Sequence, residues 1–308
     1  GEDGRLQTWA VRTAQPAYTA AGQDYIWSVS LSPDGGTIAV AGTDGAVRIY
    51  DAGSGQLLQT LAASRDIIAD AGFSPDGRTL AAAGYDGHIR IWNPVSGRLE
   101  CFWLAHKSLV QKLAFSPDGT ELVSSSSDWT VRIWDPATGR LRRTLEPKSG
   151  PVRGLAYSPD GRLIATASNK GALDLWDARS GALVQRIAVS AADLFAVAFS
   201  PDGRWLAAAD FADRLVLVDV PSRRVVRNLA WQSDGVLRVA FTPDSRRLAA
   251  AGNDGSVAIW SLDGEIPEVV IGSRQSVMGI AFTPDSGALV VGDVETARVY
   301  PLDFSPLD

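Results

Sequence analysis

Apolar residues recur along this chain in short alternating runs rather than at helical spacing. The segment Val110-Gln111-Lys112-Leu113-Ala114-Phe115 is typical: residues two apart share a face, which is the period of a half-buried strand. A small-residue strand follows, as in Leu122-Val123-Ser124-Ser125-Ser126, and then a third of the type Val131-Arg132-Ile133-Trp134. The fourth begins behind a polar turn, where Asp135-Pro136-Ala137-Thr138-Gly139 leads into Arg140-Leu141-Arg142-Arg143-Thr144-Leu145. The pattern predicts units of four antiparallel strands.

These units repeat. Ser-Pro-Asp-Gly or a close variant begins at Ser32, Ser74, Ser116, Ser158, Ser200, Thr242 and Thr283, at spacings of 42 and finally 41 residues. Proline presets φ for a tight turn, aspartate bonds its own backbone, and Gly or Ser ends the corner. A period in this range decides the architecture before any local propensity does. Seven units of about 42 residues read as seven blades, roughly 23-64, 65-106, 107-148, 149-190, 191-232, 233-273 and 274-308. The last unit runs out of chain after its third strand, near 296-301. At the other end, Asp3-Gly4-Arg5-Leu6-Gln7-Thr8-Trp9 resembles the fourth-strand openings Gly97-Arg98-Leu99 and Gly139-Arg140-Leu141. Residues 3-11 are therefore expected to complete the last blade and close the ring. Gly4 lies 29 residues before Pro33, where other copies show 20, so about nine residues are inserted near 12-22. A third-strand alignment of the same segment fits as well.

With Trp134-Asp135 and Trp176-Asp177 as literal copies of its signature dipeptide, the chain resembles the WD-repeat (WD40) family over essentially its whole length. The resemblance implies an all-β fold, a seven-bladed β-propeller in one domain, 1-308, of bacterial type. Departures exist: Tyr50, Val218 and Tyr300 replace the tryptophan, Asn93, Ser261 and Pro301 replace the aspartate, and the family's Gly-His survives only as Ala105-His106. Blade five is the most diverged.

Composition narrows the chemistry. Among 308 residues, 29 are basic and 35 acidic, for a formal charge of -6, and no basic block could track a phosphate backbone. Nucleic acid is not expected as a partner. Nor is a membrane, since no apolar run approaches the ~20 residues of a spanning helix. One cysteine, Cys101, excludes an intrachain disulfide and suits a reducing, cytoplasmic setting. Four lysines against 25 arginines suggest a high-GC bacterial genome. The only methionine is Met278, so the chain is read as part of a longer protein, with an effector domain fused to the propeller.

Two histidines, His88 and His106, offer no metal-ligand spacing. Phosphate-loop, nucleophile-elbow and dinucleotide signatures are missing too, so neither an enzyme nor a cofactor is expected. His106, Ser124, Asp128 and Trp134 contain the residue types of a hydrolytic triad. The resemblance implies that they form a structural hydrogen-bond chain instead, with Ser124 between His106 and the Trp134 indole and Asp128 accepting from His106. The repeat aspartates, Asp34, Asp76, Asp118, Asp160, Asp202, Asp244 and Asp285, are read as turn residues rather than a calcium ring.

In the WD40 family, partners dock on the loop-bearing top face through two alternate residues opening the first strand and the one before the turn aspartate. Carried over by distance from each repeat proline, these places put Tyr25, Trp27, Tyr85, Phe195, Phe211, Leu237 and Met278 at the face. Trp129 joins them, where three other blades have glycine. Large side chains of this kind are typical interface anchors. The function expected is a non-catalytic, regulatory scaffold that binds a protein or peptide; the alternative is a secreted propeller that binds a small molecule or glycan.

Overall fold

The repeat corner folds each unit in the same way. In the computed structural model, which describes residues 12–13, 18–21 and 25–304 apart from 232, 265, 266 and 274, every repeat aspartate accepts two local hydrogen bonds. At the third corner, Ser116 Oγ donates to Asp118 at 2.6 Å, and the Thr120 amide donates to the same oxygen at 3.0 Å. Each of the other six corners repeats this pair. The repeat hydroxyl also holds the Asp34, Asp76, Asp118 and Asp285 carboxyls below their ordinary range. Their lone pairs are engaged within their own turns, as a turn role requires. The corner needs a positive φ at its fourth position, taken by glycine five times and by Ser245 and Ser286 in the last two repeats.

Between corners, the strands form seven antiparallel sheets arranged in a ring. Blade three is Val110–Phe115, Leu122–Ser126, Val131–Trp134 and Leu141–Leu145, ordered from the axis outward. Blades one to six each take four consecutive strands of the chain. The molecule is a seven-bladed all-β propeller, as expected.

Seven apolar clusters lie one between each pair of neighbouring blades. Between blades one and two, Ala39, Val47 and Ile49 meet Ile68, Leu80 and Trp92; between seven and one, Val290 and Val299 meet Ile26, Ile38 and Tyr50. Small second strands such as Leu80–Gly84, buried throughout, let the sheets approach face to face.

Closure differs in detail from the sequence expectation. Residues 3–11 lie outside the described residues, and the strand that pairs with Thr296–Pro301 is Tyr18–Ala21, in register Tyr18↔Val299 to Ala21↔Thr296. The closing strand is N-terminal, but it comes from the stretch expected to be an insert. Chain geometry explains this. Outer strands elsewhere end at Ala62 and Leu104, six residues before the next blade starts at Ile68 and Val110, and Ala21 stands five before Ile26. Arg12–Thr13 adds a short parallel strand to the edge of blade six, against Val269 and Val270.

Candidate functional site

One end of the ring gathers the loops that precede each first strand and those that join the second strand to the third. In six blades, the pairing of the first strand with the second skips one residue: Trp27, Ala69, Gln111, Arg153, Phe195 and Leu237. A bulge leaves its extra residue unpaired and re-aims the side chain. These are the second family positions of each blade, so the backbone itself presents them.

What occupies the slots differs from blade to blade. In blade three they are small and polar, and Gln111 Nε2 donates to Ser127 Oγ at 3.0 Å. In blade five they are aromatic, with Phe195 and Phe211 stacked at 5.2 Å between centroids. The Arg153 guanidinium of blade four lies 4.6 Å above the Phe195 ring. Across the first interface, Trp27 and Tyr85 meet edge to face at 6.0 Å. Such pairs hold flat apolar surfaces in fixed orientation. Arg153 was not among the expected anchors; its place in the bulge series is the signal that could have found it.

Exposure sorts the expected residues. Tyr25, Tyr85, Trp129 and Phe211 are exposed, while Trp27, Phe195 and Met278 are half-buried. Leu237 departs from expectation: it is 5% exposed and offers no anchor. The Phe211 ring covers this stretch, lying so close to Gly235 that a Cβ there would sit 2.9 Å from it. Trp129 is 59% exposed and holds φ at 68°, where blades one, two and six have Gly45, Gly87 and Gly255. A bulky residue in the left-handed region is strained, and strain of this kind collects at functional positions.

The blade-three tetrad forms as one chain. Trp134 Nε1 donates to Ser124 Oγ at 2.8 Å, Ser124 Oγ stands 2.7 Å from His106 Nε2, and His106 Nδ1 is 3.0 Å from Asp128. Burial pushes the His106 imidazole down to about 4, against the pull of Asp128. The neutral ring therefore accepts from Ser124 on Nε2 and donates from Nδ1 to Asp128. Burial alone would raise the Asp128 carboxyl, yet hydrogen bonds from Thr130 and His106 hold it below its ordinary range. Ser124 is fully buried, so its hydroxyl has no path to a substrate. In blade four, Trp176 Nε1 donates to Thr166 Oγ1 at 3.0 Å and repeats the inner half of the chain.

The two residues outside these groups take ordinary places. Cys101 is half-buried in the outer strand Leu99–Leu104, and His88 stacks on Phe102 at 4.7 Å. Among the described residues, no three His, Cys, Asp or Glu side chains come together as a metal site.

No curated protein matches the chain. The profile of one protein family, described as the IFT122 first beta-propeller, matches residues 25–300, which span all seven sets of first, second and third strands. Together with the seven WD-type blades, that match identifies the chain as a member of the IFT122 first beta-propeller family, a family of WD40-type propellers.

Proposed function

We propose that the chain is a non-catalytic scaffold that binds a protein or peptide on its aromatic top face. Propellers of this type are generally interaction modules, and the observation that carries the finer reading is the pair of stacked aromatic groups, Trp27 with Tyr85 and Phe195 with Phe211. The blade does not need them. Position 85 is serine or asparagine in blades three and four, Ser127 and Asn169, and position 211 is Asn253 in blade six. Evenly spaced exposed aromatics on a rigid ring suit an extended or flat partner surface, with a few side chains supplying most of the affinity. Arg153 over Phe195 adds a cation beside the patch. A bacterial, cytoplasmic setting and a regulatory role next to an effector domain belong to the same reading; the arginine-rich composition and single cysteine support the setting.

Exchanging the anchors for the residues of sibling blades tests this. The triple variant Tyr85→Ser, Trp129→Gly, Phe211→Asn should keep the wild-type melting curve and lose a partner captured by the wild type, by ~2 kcal/mol or more per true anchor. Undiminished capture by the folded variant would refute the assignment of the face.

A further inference from the structure

Four residues before each repeat Ser or Thr, every first strand turns one side chain toward the axis of the ring. A cavity of about 260 Å³ lies there, lined by all seven blades. Three of the seven places are small, Gly154, Ala196 and Gly279, which leaves the lumen open on one side. The other four are Ser28, Asp70, Lys112 and Arg238.

Their charges do not balance. Asp70 is fully engaged: Ser28 Oγ at 2.9 Å and Lys112 Nζ at 2.8 Å reach Oδ1, and the Leu113 amide reaches Oδ2 at 2.9 Å. Arg238 has no such partner. It donates to two backbone carbonyls, Leu237 at 2.8 Å and Trp27 at 3.2 Å, and its Nε–H is buried without an acceptor. Among the described residues no carboxylate forms an ion pair with it, and Asp70 attracts it only from across the channel. Two cations thus face one anion inside the protein. Burial disfavours the charged form of both Lys112 and Arg238, and Arg238 also repels Lys112. A guanidinium nonetheless stays charged at any ordinary pH, and an uncompensated charge in such a place costs several kcal/mol. The lysine side chain keeps 19% of its surface accessible, so the lumen is wet and reachable. Phe195 and Met278 line the same cavity and connect it to the aromatic face.

We propose that the central channel binds a small free oxyanion, of the phosphate or carboxylate type, between the Arg238 guanidinium and the Lys112 ammonium. The guanidinium fork has N–H groups left to offer two oxygens, the geometry in which arginine recognises such groups. The space admits a tetrahedral oxyanion with several waters, each of which needs ~10–15 Å³ on this measure.

The test titrates the folded chain with sodium phosphate and, separately, sodium acetate, against chloride at equal ionic strength, by calorimetry and thermal melting. Saturable one-to-one binding of either anion, with a raised melting temperature, is expected, and the arm that binds tells phosphate from carboxylate. R238M should weaken binding at least tenfold, ~1.4 kcal/mol, and should melt no lower than the wild type without anion, because it removes an unpaired buried charge. K112M should weaken binding in the same direction and serves alone if R238M does not fold. Failure of both anions to bind the folded wild type, or wild-type affinity in folded R238M or K112M, would overturn the proposal. Because the top-face variants leave the channel residues untouched, loss of partner capture and loss of anion binding are read independently.

Discussion

His106 shows how one side chain ties a blade together. Its ring joins the loop before the first strand to the second strand through Ser124 and to the following turn through Asp128. His106→Ala would strand two buried partners, and a loss of ~1–3 kcal/mol is expected in denaturant unfolding. The same residue makes stability depend on pH. Its folded value, about 4, lies below the ordinary 6.5, so the unfolded chain binds the proton first. Stability should be fully present above ~6.5, fall as pH drops toward ~4 by up to about 3 kcal/mol, and show no further slope from this group below that. His106→Gln should flatten the slope between those limits in melts across pH; an unchanged slope would place the titration elsewhere. A smaller effect is expected at the last corner. Ser286 holds φ at 61° where five repeats have glycine, and Ser286→Gly should raise stability by ~0.5–1 kcal/mol in the same assay, since an L side chain pays for that conformation.

Among the elements, the closing strand carries the clearest consequence. Tyr18–Ala21 covers the outer edge of Thr296–Pro301, and Arg12–Thr13 extends the neighbouring blade. Deleting residues 1–22 would expose both edges, one of them a full strand of unpaired backbone groups. A lower melting temperature and concentration-dependent association, seen by light scattering during the melt, are the expected results. The four-strand unit and its corner were legible from the sequence because each depends on residues close in the chain: the Ser-Pro-Asp turn, the alternation, the small second strand. Which N-terminal segment closes the ring was not. Similarity of Gly4-Arg5-Leu6 to other strand openings is local, whereas the pairing partner is set by the span from the outer edge of blade seven to the inner strand of blade one, a distance the pattern does not contain.

At the scale of the molecule, seven equivalent clusters joined in a closed ring leave no blade able to unfold without opening its neighbours' cores. Stability is then nearly a sum of repeat and interface contributions, made cooperative by closure. Ile164, between blades three and four, and Leu289, between six and seven, are both fully buried. Ile164→Ala and Leu289→Ala should each cost ~2–5 kcal/mol, and each should shift one transition, coincident by tryptophan fluorescence and circular dichroism. Separate transitions for the two halves of the ring would show that closure does not couple the blades.

By itself the sequence determined the number of blades, the strands within each, the corners, the blade-three tetrad and most of the aromatic face. All of these follow from short-range periodicity and from the phase of each residue within its repeat. Tertiary structure alone decided the rest. Leu237 occupies an anchor position by phase, yet the Phe211 ring of the preceding blade lies over that stretch and the leucine is buried. The bulges that present Trp27 and Phe195 arise from how two strands pair, not from either strand's pattern. Asp70, Lys112 and Arg238 are up to 168 residues apart in the chain and share only a place within the repeat. They meet because a closed ring brings one position of every blade to a common axis, where charges that would each be solvated on a strand must instead balance one another.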